Sequence, residues 1–478
     1  MKKLKAVGAG GLFYVLIAVS LSVCPNPSWA AEGGPHLDGG ELGLAWAIPF
    51  AGILLSIALC PLVFPHFWHR HFGKVSAFWA LAFLVPFTIN YGPGMAVYEV
   101  LHTLMSEYVP FIILLLALYT VAGGVRMKGS LVGTPTLNTA FLAIGTLIAS
   151  LMGTTGAAML LIRPLIRANE HRKAKTHILV FFIFLVANIG GSLSPLGDPP
   201  LFLGFLKGVD FFWPTVHLLP PMLLCSGILL VLFFVFDTVM YRRETEDVRN
   251  MKLEYEPLGI EGKVNLLLLL CVVCAVLMSG ILQLGHFTVY YVEIAYQNIL
   301  RDVLLLLIAW LSWRLTSWEN RKANAFSWFP IVEVGKLFAG IFLTIVPAIA
   351  ILKAGTSGAL GGVVAAVSHD GAPVYSMYFW LTGALSSFLD NAPTYLVFFN
   401  AAGGDAQTLM AEGTTLMAIS AGAVFMGANT YIGNAPNFMV RSIAEERGVP
   451  MPSFFGYMAW SGAILLPLFA LVTVIFFI

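Results

Sequence analysis

The segment Asn188–Leu201 interrupts an apolar run, because apolar residues fill Ile178–Ala187 before it and most of Leu201–Phe205 after it. It reads NIGGSLSPLGDPPL and holds three prolines, three glycines, two serines, an Asp and an Asn. In hydrocarbon, each backbone group left unpaired by such residues costs several kcal/mol. The segment therefore predicts a helix that is broken inside a membrane, with the break facing a protein-lined or water-filled cavity.

A second segment, Gly427–Phe438, repeats this pattern as GANTYIGNAPNF. With Gly191 placed on Gly427, Gly197 coincides with Gly433, Pro200 with Pro436 and Phe202 with Phe438, while Asp198 falls on Asn434. Two matched broken helices, one per half, indicate the binding site of a secondary transporter. Two Gly/Pro loops of a soluble enzyme could also align by chance.

The composition argues against a soluble enzyme. The 478 residues are 58% hydrophobic and 11% charged, whereas soluble domains are about 25% charged. We therefore expect an all-α polytopic membrane protein.

The chain begins with a basic, then apolar stretch that ends at Ser28-Trp-Ala30, so residues 1–30 predict a cleaved signal peptide. An uncleaved extra membrane helix is the alternative. Residues 31–478 would then form one transporter domain. We expect about ten spanning segments in it, at residues 44–64, 75–90, 109–125, 176–206, 218–240, 263–283, 299–316, 331–352, 414–440 and 454–478.

Two further apolar stretches, 135–162 and 373–402, are interrupted at their centres and are predicted to be re-entrant hairpins. Basic residues flank the first on both sides, so it should enter from the cytoplasm, with its tip at Gly153–Gly156. The second has no Lys or Arg between Lys353 and Arg441 and should enter from outside, with its tip at Asp390–Pro393. This topology places 20 Lys and Arg residues inside and 3 outside, with the remaining 3 in the signal, as the positive-inside rule requires.

The two halves then match as inverted repeats, at about 75–240 and 299–478, joined by a charged cytoplasmic connector at 241–262. With Ser150 placed on Ser387, Gly153-Thr154 falls on Asp390-Asn391. An inverted pair would bring both hairpin tips and both helix breaks near the bilayer midplane.

Two acidic residues, Asp198 and Asp390, lie at these tips and breaks, and no Lys or Arg does. Carboxylates at membrane depth indicate function, and two without basic partners predict a cation site, with Na⁺ at Asp198, Asp390 and Asn391. Burial disfavours a charged carboxylate, so Na⁺ and H⁺ would compete for it. Further oxygen ligands would come from Ser150, Thr154, Thr155, Ser194, Ser387, Asn429, Thr430 and Asn434. Helix capping is the alternative role for both acids, and the hydroxyl and amide residues also cap and pack helices.

Glu99, His102 and Glu107 lie just before the third predicted span. Glu99 and His102 are spaced to share a helical face, so the three residues are candidates for ion entry or pH sensing. A solvated helix outside the membrane explains them equally well. No GxxxxGK[ST] loop is present and no histidine falls in a hairpin tip or helix break, so we expect an ion gradient as energy source and no enzymatic activity.

The motif Ser194-Pro-Leu-Gly-Asp198 resembles the SP-[IL]-GD motif of NhaD-type sodium/proton antiporters, and Leu389-Asp-Asn-Ala-Pro393 resembles their LDN-x-P motif. The wider ion transporter superfamily includes citrate, arsenite and divalent-anion carriers. The resemblance covers the chain after the signal and implies an elevator-type homodimer. It assigns Asp198, Asp390 and Asn391 to the ion site and, more weakly, His102 and Glu107. One departure is Leu151-Met-Gly-Thr-Thr155 at the first hairpin, where the family pattern has a carboxylate.

Two functions follow from these observations. The first is a Na⁺(Li⁺)/H⁺ antiporter of the bacterial inner membrane, without cofactors beyond the transported ions and with only the bilayer, a small ion and a second copy of itself as partners. The second is a Na⁺- or H⁺-coupled carrier of an organic anion or oxyanion, which the threonines at the first hairpin tip would suit.

Overall fold

The computed structural model describes residue 35 and residues 37–249 and 257–478. In these ranges the chain is mostly helical and forms only three short two-stranded antiparallel ribbons. This confirms the all-α class. The predicted signal peptide at residues 1–30 lies outside the described residues.

The first half contains three apolar helices, a helical hairpin, a broken helix and a closing helix. A 3₁₀ turn at Leu44–Ala47 leads into α1 (Ile48–Val63). The next elements are α2 (Pro65–His102), a π turn (Thr103–Tyr108), α3 (Val109–Ala122), β1 (Arg126–Lys128), α4 (Pro135–Met152), α5 (Thr154–Ala168), α6 (Thr176–Leu185), a 3₁₀ turn (Ile189–Leu193), α7 (Pro199–Leu206), α8 (Trp213–Arg242) and α9 (Glu246–Arg249).

The second half repeats this order. Its elements are β2 (Gly259–Glu261), α10 (Val264–Ile281), β3 (His286–Val289), β4 (Val292–Ala295), α11 (Tyr296–Leu315), α12 (Trp318–Ala323), α13 (Phe329–Lys353), a 3₁₀ turn (Gly355–Ser357), α14 (Gly361–Ala366), β5 (Ser368–His369), β6 (Ala372–Pro373), α15 (Tyr375–Phe388), α16 (Asn391–Ala401), α17 (Ala406–Glu412), α18 (Thr414–Met426), a 3₁₀ turn (Gly427–Asn429), α19 (Ala435–Glu446) and α20 (Phe454–Phe476).

All four interruptions fall where the polar and Gly/Pro residues predicted them. The first hairpin turns at Gly153, whose φ of 80° is the left-handed region that favours glycine. The second turns at Leu389–Asp390, and the two broken helices restart at Pro199 and Ala435. The helix order of the two halves therefore matches, while their inverted orientation and the re-entry of the hairpins stay predictions.

Eight helices of the described ranges are long and apolar enough to cross a membrane, or nine if the pair bent by 99° at residue 413 counts as one span. The chain is therefore a multi-pass membrane protein. The segment predicted at 299–316 corresponds to α11, which carries Arg301, Asp302 and Arg314 and is too polar to be one of the eight.

Helix α2 differs from its sequence-based boundaries. It begins at Pro65 instead of residue 75, so that the basic Arg70 and Lys74 lie on a helix and not in a loop. It continues beyond residue 90 through a kink at Gly92, with φ 83° and ψ 160°. Hydropathy marked only its apolar middle and missed the polar turns on either side.

Each hairpin is joined to the broken helix of its own half by matching hydrogen bonds. In the first half the Ser194 hydroxyl donates to the backbone carbonyl of Ser150, and in the second half Thr430 donates to the carbonyl of Ser387. These residues are counterparts in the sequence alignment, so the alignment places equivalent contacts in register.

The two halves also interlock. Helix α16 of the second hairpin packs on α7 of the first broken helix, and α5 of the first hairpin packs on α19 of the second. Each hairpin therefore contacts its own broken helix at one side and the other half's broken helix at another. This crossing brings residues far apart in the sequence to one point.

A buried ion pair ties the first hairpin to the helices after it. Arg172 Nη2 lies 2.5 Å from Asp237 Oδ1 of α8, and His177 Nε2 lies 2.7 Å from the same oxygen. Asn138 of α4 donates to Asp237 Oδ2 at 3.0 Å. Arg172, one of the basic residues in the predicted cytoplasmic flank after the first hairpin, is buried against this carboxylate.

Candidate ion-binding site

Asp198 lies at the centre of the interlocked hairpins and broken helices and is only 2% exposed. Its Oδ1 accepts hydrogen bonds from Thr154 Oγ1 at 3.0 Å and from Asn434 Nδ2 at 3.1 Å. Its Oδ2 accepts from Asn391 Nδ2. The donors are all uncharged, and no Lys or Arg of the described chain forms an ion pair with this carboxylate.

The four side chains come from both hairpins and both broken helices. Thr154 and Asn391 are the first residues of α5 and α16, and Asp198 and Asn434 immediately precede α7 and α19. In the sequence alignment Thr154 is the counterpart of Asn391, and Asp198 is the counterpart of Asn434. Equivalent positions of the two halves thus meet at one site, which holds one carboxylate.

Four helix N-termini converge at this site. Each carries partial positive charge from the helix dipole. These termini stabilise negative charge, and Asp198 supplies it within the chain. The site therefore combines a favourable environment for an anion with a resident carboxylate that can itself hold a proton or a metal ion.

Two asparagines that the sequence analysis did not select extend the network. Asn188 Nδ2 donates to Asn437 Oδ1 at 2.7 Å, and Asn434 Nδ2 lies 3.3 Å from Asn188 Oδ1. Asn437 Nδ2 donates to the carbonyls of Gly427 and Thr430 at 2.8 and 2.9 Å. Both are fully buried, and both stand inside the two interrupted segments, so their polarity within apolar runs was the available signal.

Asp390 takes a different position from Asp198. Its Oδ1 accepts a hydrogen bond from the backbone N–H of Ala392 at 3.1 Å, which is the geometry of a helix N-cap. Asp198 makes no such cap bond to α7. The capping alternative considered for both acids thus describes Asp390, whose side chain is half-buried, and does not describe Asp198.

Five more predicted ligands form no hydrogen bond with Asp198. They lie at the contacts between each hairpin and its own broken helix. Ser150 Oγ donates to Gly190 O at 2.5 Å and accepts from Leu193 N at 2.9 Å, and the Ser194 hydroxyl donates to the Ser150 carbonyl.

In the second half, Ser387 Oγ accepts from Asn429 Nδ2 at 2.9 Å and donates to Met426 O at 3.0 Å, while the Thr430 hydroxyl donates to the Ser387 carbonyl. Thr155 is half-buried beside Thr154.

Glu99, His102 and Glu107 lie apart from this network, near the end of α2 and in the π turn. Glu107 forms an ion pair with Lys207, which directly follows α7. His102 lies within electrostatic reach of Glu107, Lys207 and Lys353. No feature of the sequence indicated a partner for these acids, and Lys207 is the partner of Glu107.

Two interlocked halves, each with a hairpin and a broken helix whose ends meet at buried polar side chains, are the construction of secondary membrane transporters. A comparison with protein-family models supports this class: the family CitMHS_2, described as "Putative citrate transport", matches residues 39–477. The chain belongs to this family. A search of curated proteins finds no significant match.

Proposed function

We propose that this protein is an ion-coupled secondary transporter that exchanges Na⁺ or Li⁺ for H⁺ at Asp198. The observation that carries the proposal is the buried Asp198 carboxylate, which contacts only uncharged donors drawn from both halves of the chain. A carboxylate buried without a cationic partner is costly when ionised. Binding a proton or a metal ion removes that cost, so the two cations compete for one group.

Oxygen ligands for Na⁺ surround the carboxylate. Asn391 Oδ1 is buried and has no hydrogen-bond partner among the described residues. The Thr154 hydroxyl and Asn188 Oδ1 are further oxygens within the same network. Rotation of the Asn391 amide would replace its N–H donor by this oxygen and add a ligand for Na⁺. In this proposal Asp390 supports the site by capping α16 and so orienting Asn391.

A carrier of an organic anion such as citrate is the second candidate. It is favoured by the family match and by the four helix N-termini that meet at Asp198. In that mechanism the dipoles of these helices would stabilise a carboxylate of the substrate, which would accept hydrogen bonds from Thr154, Asn391 and Asn434, while Asp198 would bind the coupling cation.

The test uses proteoliposomes of the full chain with an internal pH dye and an imposed pH gradient. We expect NaCl or LiCl, but not KCl, to collapse the gradient, and Asp198→Asn to abolish the effect because the amide neither ionises nor binds Na⁺ tightly. Asp405→Asn, at an exposed helix cap on α17, is the matched control and should transport like the wild type.

Adding labelled citrate outside the same vesicles distinguishes the two candidates. Uptake of citrate that depends on a Na⁺ or H⁺ gradient, with no cation-driven pH change in its absence, would replace the antiporter by the anion carrier. A pH response that persists in Asp198→Asn would overturn the assignment of this carboxylate to the cation.

We also propose that transport proceeds by elevator-type movement of the hairpins and broken helices against the other helices, in a homodimer located in a bacterial inner membrane. These proposals rest on the resemblance noted from the sequence and on the interlocking of the four elements around Asp198.

A further inference from the structure

A large apolar cavity of about 1340 Å³ lies away from Asp198, between the end of α7, the start of α8, the π turn, α10 and α11. Its walls include Leu104, Phe205, Trp213, Leu277 and Val303. The predicted topology places this end of the molecule outside. Neither the proposed cation exchange nor citrate binding requires this cavity, because its walls are mainly aromatic and aliphatic.

The cavity is open towards the bilayer. Val216, Ile281 and Val303 line it and are 66%, 74% and 56% exposed. These side chains project from apolar helices that are long enough to span a membrane or, for Val303, from the neighbouring α11. Apolar surface of this kind on a membrane protein faces lipid tails, so the cavity is a groove that lipid can enter from the side.

Arg301 is the charged residue buried in the groove wall, with 1% exposure. Its Nε lies 2.9 Å from Asp302 Oδ1 and its Nη1 lies 3.3 Å from Asn298 Oδ1. Its Nη2 is buried and has no hydrogen-bond partner among the residues that the structure describes. Buried donors are nearly always paired, and an unpaired one on a guanidinium is especially costly.

Arg301 was predicted to be one of three basic residues in outer loops, but the structure places it on a helix. Arg301 is the sixth residue of α11, which places it ~8 Å from the start of the helix at 1.5 Å per residue. An Arg at this depth reaches the headgroup layer by extending its side chain towards the surface. Its guanidinium instead turns inward, 5.9 Å from the Phe202 ring of α7.

We propose that this groove binds one phospholipid of the surrounding membrane, with acyl chains along the apolar walls and a phosphodiester oxygen accepting from Arg301 Nη2 after the guanidinium rotates away from Phe202 into the groove. Asp302 already balances the charge of Arg301, and Glu293 also lines the groove. Recognition therefore depends on the hydrogen-bonding phosphodiester, which all phospholipids share, and not on a net negative headgroup. The lipid would touch Phe205 and Leu206 of α7, the half-helix that begins after Asp198.

The experiment measures phospholipid retained by the full chain in mild detergent, by native mass spectrometry, and its rebinding after delipidation. Phosphatidylethanolamine, phosphatidylglycerol and inorganic phosphate are the three probes. We expect the wild type to retain one lipid and to bind both phospholipids with similar affinity, while inorganic phosphate alone gives no thermal shift.

Two variants test the two parts of the groove. Arg301→Lys keeps a cation beside Asp302 but removes Nη2, and we expect about tenfold weaker rebinding, as for loss of one charge-assisted hydrogen bond. Val216→Trp fills the groove from an exposed position and should abolish retention. Val239→Trp, exposed on the same helix but outside the groove, is the matched control and should retain lipid normally.

Several outcomes would overturn the proposal. Equal lipid retention in all variants would show that the retained lipid lies elsewhere. A thermal shift with inorganic phosphate as large as that with lipid would indicate a simple anion site. Loss of a dimer in Val216→Trp, with lipid retention unchanged, would assign the groove to a second copy of the chain. None of these readings depends on cation exchange, so a failure here is distinct from a failure of the proposed function.

Discussion

Asp198 and Asn434 occupy equivalent positions in the two halves, yet only the first is acidic. They are in direct contact, with 3.1 Å between Asn434 Nδ2 and Asp198 Oδ1. The site thus carries a single negative charge where a symmetric pair of acids would carry two. This asymmetry allows Asn434 to donate a hydrogen bond to the carboxylate. It also limits how much cationic charge the side chains of the site can balance.

Asn434→Asp tests this asymmetry. Two carboxylates in contact cannot both ionise without a bound cation, so we expect the melting temperature in KCl to fall as pH rises through neutrality and to recover on addition of NaCl. Thermal unfolding in detergent between pH 5 and 9 measures both effects. Asn434→Ser, which cannot ionise, is the control and should show no such pH-dependent loss. A melting curve of Asn434→Asp that ignores both pH and Na⁺ would argue against cation binding at this position.

At the scale of elements, the broken helices depend on glycines that permit close backbone contact. A Cβ on Gly197 would lie 2.1 Å from the Gly191 carbonyl oxygen, and one on Gly433 would lie 2.6 Å from that of Gly427. The two glycine pairs are counterparts in the sequence alignment. Because backbone atoms cannot yield as a flexible side chain can, these contacts set the shape of the turn that presents Asp198 and Asn434.

Gly197→Ala should therefore open the first break and displace Asp198. We expect Na⁺-dependent pH-gradient collapse to fall at least about tenfold, since small displacements of catalytic or binding groups have effects of this size, and the melting temperature to fall as well. Gly227→Ala lies within α8, where a Cβ meets nothing within 4 Å. It should be neutral or slightly stabilising, as Ala is the better helix former. Wild-type transport in Gly197→Ala would contradict the close-contact argument.

At the scale of the whole molecule, the ion pair between Glu107 and Lys207 connects the π turn to the end of α7. If the broken helices move against the other helices during transport, this contact has to break in each cycle. Lys207 immediately follows α7, the half-helix that begins at Pro199, directly after Asp198. The pair, in which Glu107 is buried and Lys207 is half-buried, therefore joins the proposed moving and static parts.

Glu107→Gln removes the negative charge and should weaken the contact between Glu107 and Lys207. We expect the transport rate to increase by up to about fivefold, which corresponds to a barrier lower by about 1 kcal/mol. Initial rates in proteoliposomes at matched protein density measure this. Glu41→Gln, at an exposed acid before α1, should leave the rate unchanged. A rate for Glu107→Gln equal to that of the wild type would show that breaking this contact does not limit transport.

The sequence by itself determined that the chain is a helical membrane protein and where its helices are interrupted. Hydropathy and the Gly/Pro content of Asn188–Leu201 are local properties, so they predict local backbone structure. The alignment of Gly191 and Gly197 with Gly427 and Gly433 also identified the matching breaks. Which polar side chains would meet was not determined in this way: the sequence predicted a cation site at both Asp198 and Asp390, but only Asp198 lies in the central network while Asp390 caps α16.

Only the tertiary structure decided the contacts between the two halves. Asp198 and Asn391 are 193 positions apart, and Asn188 and Asn437 are 249 apart. Their meeting depends on how α16 packs on α7 and α5 on α19. The burial of Arg301 and Arg172, which the topology analysis placed in loops, has the same origin. A charged side chain carries no local signal of the carboxylate or cavity that will surround it, because those partners are supplied by other helices when the chain folds.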